Sequence, residues 1–167
     1  MDFEALVRAH GGAVRAFLRR LLRDDALADD LAQEVFVAAH ARLSELRRPG
    51  AARAWLQRIA WRRFLDHDRT RRRRAALLDV RPEPEGATAP PGLALDIASA
   101  METLPLERRA CVMLGLALGH SHAEVAAITG LPLGTVKSHI RRGTRELRAA
   151  LSDYRPGFDP DLDGATA

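Results

Sequence analysis

Fourteen residues, Asp79 to Gly92 (DVRPEPEGATAPPG), constrain this chain more than any others. They hold four of its nine prolines, at 82, 84, 90 and 91, and almost no large apolar side chain. A stretch that cannot sustain a helix and has nothing to bury reads as a flexible linker. It divides the 167 residues into two modules, 1–78 and 93–154, leaving an acidic tail at 155–167 whose Pro- and Gly-rich composition reads as disordered. Each module is too small for a barrel or a doubly wound enzyme. Semi-extended at ~3.1 Å per residue, the linker reaches up to ~40 Å, enough for two modules to sit on separate parts of one long partner.

Both modules read as helical. Ala, Leu and Arg dominate, while Ile, Thr and Tyr are scarce and no stretch alternates apolar with polar residues. The expected fold is all-α: two small helical domains joined by the Pro-rich linker, the second containing a helix-turn-helix. In the first, Phe3, Leu6, Val7, His10, Val14, Phe17, Leu18, Leu21 and Leu22 form one apolar stripe across Gly11-Gly12. Asp24 or Asp25 caps a second helix with Leu27, Leu31, Val35 and Ala38 on one face, ending near Leu46. After Pro49-Gly50, a third carries Leu56, Ile59, Ala60 and Phe64 inward and Arg58, Arg62 and Arg69 outward.

The second module begins with a short helix around Leu93 to Glu102, and Pro105 suits the first turn of the next, which runs to about Leu118. Ser121 and Glu124 then make a capping-box pattern, Gly130 ends that helix, and Pro132 to Leu151 forms another. On the last helix Val136, Ile140, Gly143, Leu147 and Leu151 gather on one side, and Lys137, Arg141, Arg145 and Arg148 on the other. A basic face behind a capped helix and a glycine turn suits the major groove, with Thr135 or Ser138 added as phosphate or base contacts.

The formal charge of +4 conceals a steep local imbalance. Between Arg47 and Arg74 lie eleven arginines against Asp66 and Asp68. Such a segment suits a nucleic-acid backbone, and Trp61 beside Arg58 and Arg62 offers either a stacking surface for an unpaired base or a core side chain. Residues 24–34 carry five acids and no cation; of these helix-deep positions, Asp30, Gln33 and Glu34 suit a cationic protein surface.

Catalysis has no visible constellation: there is no phosphate-binding glycine loop, no H-E-x-x-H, and no nucleophile spaced from a base. No cofactor and no metal are expected, since His120, His122 and Cys111 lack a second ligand pair, and the two histidines read as a cap or a solvated pair. A single cysteine excludes an internal disulfide, and no run reaches the ~18 apolar residues of a membrane span. A cytoplasmic chain with no membrane insertion is expected.

Three segments taken together carry a resemblance: DDLAQEVFVAAHARL (29–43), AWLQRIAWRRFLDHDRTRRRR (54–74) and LPLERRACVMLGLALGHSHAEVAAITGLPLGTVKSHIRRGTREL (104–147). In order and spacing the chain resembles the bacterial extracytoplasmic-function (ECF) class of RNA polymerase sigma factors. The resemblance implies that residues 1–78 bind core RNA polymerase and open the minus-ten promoter element, and that residues 93–154 read the minus-thirty-five element as duplex. It implies polymerase contacts at Asp30, Gln33 and Glu34, and minus-ten contacts at Arg47, Arg48, Arg53, Arg58 and Arg62, to which the stacking reading adds Trp61. The minus-thirty-five contacts it implies are Lys137, Ser138, Arg141 and Arg142, to which the reading of the helix face adds Thr135 and Arg145. Core RNA polymerase, promoter DNA and an anti-sigma factor are the implied partners. His40, Leu46, Ala52, Gln57 and Arg62-Arg63 depart from the family pattern, Gln57 standing where Tyr is frequent. Two other readings remain open on these residues: a sigma-like decoy that sequesters an anti-sigma factor, and a stand-alone helix-turn-helix regulator.

Overall fold

The computed structural model describes residues 2–22, 24–78 and 93–151, so the linker and tail expected at 79–92 and 155–167 lie outside the described residues. Seven α-helices and no strand occur among the described residues, in agreement with the all-α expectation.

Helix α1 (Phe3–Leu22) buries Leu6, Gly11, Val14, Phe17, Leu18 and Leu21. It runs unbroken through Gly11-Gly12 because Gly11 faces the neighbouring helix, where a Cβ would sit 3.5 Å from the Phe36 ring. Helix α2 (Asp25–Ala41) starts at Asp24, whose carboxylate accepts a hydrogen bond from the Leu27 N–H at 3.0 Å. Its packing face is Ala28, Leu31, Ala32, Val35, Phe36 and Ala39. That face is rotated from the expected one, leaving Leu27 and Ala38 half-buried. The helix also ends before Leu46; two short 3-10 turns, Leu43–Glu45 and Pro49–Ala51, lead into α3 (Ala52–Leu78).

Helix α3 buries Leu56, Ile59, Ala60 and Phe64 as expected. It continues through Arg71–Arg74, where Asp68 accepts from Arg72 Nε at 2.7 Å and Arg71 Nη2 at 3.2 Å. These i,i+4 and i,i+3 pairs relieve the crowding of like charges within the run.

The second module comprises α4 (Leu93–Glu102), α5 (Leu106–Val112), α6 (His122–Thr129) and α7 (Leu133–Ala150). Pro105 caps α5. Past Val112 the helix widens into a π turn (Met113–Ala117), closed by Leu118 N–H donating to Met113 C=O at 2.9 Å. Gly119, at φ +66°, reverses the chain. The capping box forms as expected, with Ser121 N–H donating to Glu124 Oε2 at 2.8 Å and Glu124 N–H to Ser121 Oγ at 3.2 Å. Gly130 ends α6 in the left-handed region.

The modules pack against one another. Buried residues from both form one continuous apolar cluster, in which α3 lies on α6.

Candidate nucleic-acid and partner interfaces

Helix α7 is positioned by the side it buries. Val136, Ile140 and Gly143 face α5 and α6. Gly143 permits a close approach, since a Cβ there would lie 2.5 Å from Val112 Cγ2. Farther along, Arg108 Nη1 donates to both Glu146 carboxylate oxygens at 2.7 and 2.8 Å, tying α7 to α5. These constraints turn Lys137, Arg141, Arg142 and Arg145 outward, all exposed, with Thr135 and Ser138 half-buried beside them. The six predicted upstream contacts therefore lie on one helix and border a common cationic face able to enter a groove.

The first module's basic residues separate into two groups. Arg47 and Arg48 lie on the exposed connection between the 3-10 turns, Arg62 is exposed on α3, and none of the three guanidinium groups makes a hydrogen bond or ion pair among the described residues. Arg53 and Arg58 instead reach across to the second module. Arg53 Nη2 donates to the Leu118 carbonyl, and Arg58 Nε to the Ala127 carbonyl at 2.8 Å. Between them Gln57, fully buried, places Oε1 3.0 Å from His120 Nε2.

Trp61 requires a correction. It is 2% exposed and stacked on Phe64 with ring centroids 5.7 Å apart, so it is core and offers no face to a base in this arrangement. The physical reason is helical register: Trp61 follows Leu56, Gln57 and Ala60 onto the buried side of α3. Trp55 is the partly exposed tryptophan, and it lines a hollow with Arg47, Arg48, Arg58 and Glu124.

The acidic block divides as well. Asp24 is a cap, while Asp25 and Asp29 pair with Arg19 at 3.5 and 3.1 Å, pinning α2 to α1. Asp30, Gln33 and Glu34 remain, all exposed, lining one shallow hollow with Val37 and Arg63. Val37, 72% exposed, gives that hollow an apolar spot. Carboxylates beside exposed apolar surface suit a protein partner carrying cations around an apolar patch.

No group of three or more His, Cys, Asp or Glu side chains poised for a metal occurs among the described residues. Cys111 is fully buried, and burial, reinforced by Glu107, pushes its thiol up to about 11. His120 differs from its expected role as a cap or a solvated residue. It is 4% exposed, and burial first, then the Arg53 guanidinium, holds its pKa below the ordinary histidine value, with Glu124 opposing. Sequence reasoning missed Arg108 and Glu146, and it missed the burial of His120 against Gln57. Gln57 had a visible signal as a polar residue one turn before Ala60, Trp61 and Phe64 on the apolar side.

An outward cationic helix and a separate acidic, partly apolar patch suit a protein that meets nucleic acid on one face and a protein partner on another. Residues 6–74 match the family model of Sigma-70 region 2, and residues 94–147 that of Sigma-70, region 4. The ECF RNA polymerase sigma factor SigE of Mycolicibacterium smegmatis is 34% identical over 164 residues, covering 92% of this chain; the chain thus spans 63% of that relative's length. SigM of Mycobacterium tuberculosis, an ECF RNA polymerase sigma factor, is 33% identical over 161 residues, covering 94% of this chain and 81% of SigM. Among solved structures, the sigma factor RpoE in complex with the anti-sigma factor NepR, from Bartonella quintana, superposes with a TM-score of 0.78 at 28% identity, covering 92% of this chain and 99% of RpoE. CnrH in complex with the cytosolic domain of CnrY gives 0.67 at 31% identity, over 92% of this chain and 89% of CnrH. The chain belongs to the ECF RNA polymerase sigma factors, a family of regulatory DNA-binding proteins rather than catalysts. No helix among the described residues is long and apolar enough to cross a membrane.

Proposed function

We propose that this chain is an alternative sigma factor that joins core RNA polymerase and directs it to a set of promoters, with residues 1–78 engaging the polymerase and opening the minus-ten element and residues 93–154 reading the minus-thirty-five duplex. Residues 79–92 connect the two in this reading, and it acts in the cytoplasm with no cofactor and no covalent chemistry of its own. The observation that carries it is the cationic face of α7, with Lys137, Arg141, Arg142 and Arg145 exposed opposite buried Val136, Ile140 and Gly143. Arg47, Arg48 and Arg62, with Arg53 and Arg58 once freed, supply cations for the separated non-template strand. Melting then follows from preferential binding of the open form. The family includes relatives solved with an anti-sigma factor and with a cytosolic partner domain, which supports an anti-sigma partner here.

Run-off transcription with purified core polymerase tests the reading. Initiation at defined start sites is the expected result. A chain that binds an anti-sigma factor yet leaves core polymerase silent would instead be the decoy, and one that binds duplex but ignores core polymerase a stand-alone regulator.

Two substitutions separate the surfaces. Arg141→Ala is expected to lower discrimination at one upstream base pair by ~1–3 kcal/mol, measured as relative affinities across a panel of single-base duplex variants. Unchanged preference at every position would remove Arg141 from the reading role. Glu34→Lys is expected to weaken core polymerase binding by about tenfold or more, ~1.4 kcal/mol, while leaving isolated duplex affinity intact. Equal core affinity would dismiss the acidic patch as the docking surface.

A further inference from the structure

The contact between the modules occupies the same first turns of α3 that the function above needs for the minus-ten strand. Arg53 is spent on the Leu118 carbonyl, Arg58 Nε on the Ala127 carbonyl, and Gln57 is sealed against His120. The α7 cations stay exposed throughout. Geometry also separates this arrangement from promoter binding. The minus-ten and minus-thirty-five elements lie ~25 base pairs apart, or ~85 Å at ~3.4 Å per pair. Two touching modules of this size, each with a radius of gyration of ~11 Å, have centres only ~30 Å apart. They cannot occupy both elements without separating.

We infer that the Gln57–His120 contact, flanked by Arg53 and Arg58 on carbonyls of the second module, is an intramolecular latch that holds the chain closed with its minus-ten surface engaged, and that protonation of His120 releases it. This rests on the sigma-factor reading above and names a regulation of the same surface.

The chemistry of the buried pair supports it. A neutral ring donates from Nε2 to Gln57 Oε1, leaving Nδ1 without a proton. Buried Nδ1 has no hydrogen-bond partner among the described residues, and the Glu124 carboxylate stands 3.8 Å away, beyond hydrogen-bond length but within ion-pair distance. A second proton would therefore sit on a buried nitrogen that meets the Glu124 carboxylate only at that longer range. The charged groups acting on the ring are Arg53 from α3, which repels that proton, and Glu124 from α6, which attracts it. Arg58, farther along α3, is engaged at Ala127, and His122 is exposed on the α6 side. Burial and Arg53 prevail, so the closed form binds the proton less well than an open chain whose histidine titrates near its ordinary value of about 6.5. Above that pH closure is unaffected. As pH falls below it, the closed-to-open ratio drops by up to about tenfold per unit, the limit for one proton, until the closed form itself titrates.

Small-angle X-ray scattering on the full chain at pH 7.5 and 5.5, with circular dichroism on the same samples, tests the latch. Wild type is expected to be compact at pH 7.5 and to expand at pH 5.5 with its helix content unchanged. Gln57→Ala removes the acceptor and is expected to be expanded already at pH 7.5. The double variant Gln57→Leu with His120→Leu replaces the pair by an apolar contact that cannot titrate, and is expected to be compact at both. Wild-type dimensions that ignore pH, expansion that accompanies loss of helix, or a Gln57→Ala chain that behaves as wild type would each overturn the latch. Run-off transcription at pH 7.5 keeps the two ideas apart. Initiation with pH-insensitive dimensions defeats the latch alone, whereas a pH-dependent expansion without initiation defeats the sigma-factor reading alone.

Discussion

Replacing Gly143 with valine is expected to destabilise the second module by ~1–3 kcal/mol and to cut upstream duplex affinity by about tenfold or more. A Cβ at this position would lie 2.5 Å from Val112 Cγ2 and 3.1 Å from Arg108 Cγ. Neither neighbour yields easily. Val112 is buried and β-branched, so its rotamer is fixed by its own helix, and Arg108 is held by both carboxylate oxygens of Glu146. The relief available is for α7 to move off α5, which changes the angle at which its cations meet a groove. Denaturant unfolding and duplex titration of the variant check the two halves of this argument. Stability and duplex affinity both equal to wild type would show that residue 143 does not set the spacing of α5 and α7. Core polymerase binding, proposed above for the first module, should stay the same.

Phe17→Ala is expected to cost ~3–5 kcal/mol, the largest loss from any single truncation proposed for this chain. Phe17 is the largest fully buried side chain among the described residues, on the face of α1 that packs against α2 and α3. Against a typical total stability of ~5–15 kcal/mol, a loss of that size leaves the first module partly unfolded, and polymerase binding should fall with it. Val37→Ala, at a site 72% exposed, is the control for stability and should change it by less than ~0.5 kcal/mol. Urea midpoints for the two variants decide the matter; equal midpoints would mean that the α1 packing seen here does not stabilise the fold.

The features legible in the sequence were those governed by local chemistry. Helix periodicity placed Leu6, Val14, Phe17, Leu56, Ile59, Ala60, Val136 and Ile140 inside, and all are buried. Capping residues located the start of α6, because Ser121 and Glu124 satisfy each other's backbone without help from the rest of the fold. The outward side of α7 followed from the same spacing. What the sequence did not reveal depends on tertiary contact. Trp61 could equally have faced solvent until the pairing of α3 with its neighbours settled which side was buried. Arg53 and Arg58 look like free cations in a basic run, and only the arrival of α6 turns them toward carbonyls. His120 read as part of a helix cap because nothing in its neighbours along the chain announces Gln57, sixty-three residues earlier. Helix α2 stops short of Leu46 for a related reason: Leu43 and Leu46 continue an apolar pattern, yet the chain bends at Arg42 to bring α3 alongside.

The sealed thiol of Cys111 has a practical outcome. With its thiol pushed up to about 11, Cys111 carries little thiolate at neutral pH, and burial shields it from reagents. The chain is thus a natural scaffold for site-selective labelling, since cysteines introduced on the surface would be the accessible thiols that a maleimide dye encounters. Two such dyes, one per module, would turn each molecule into its own ruler and let its opening be followed one particle at a time.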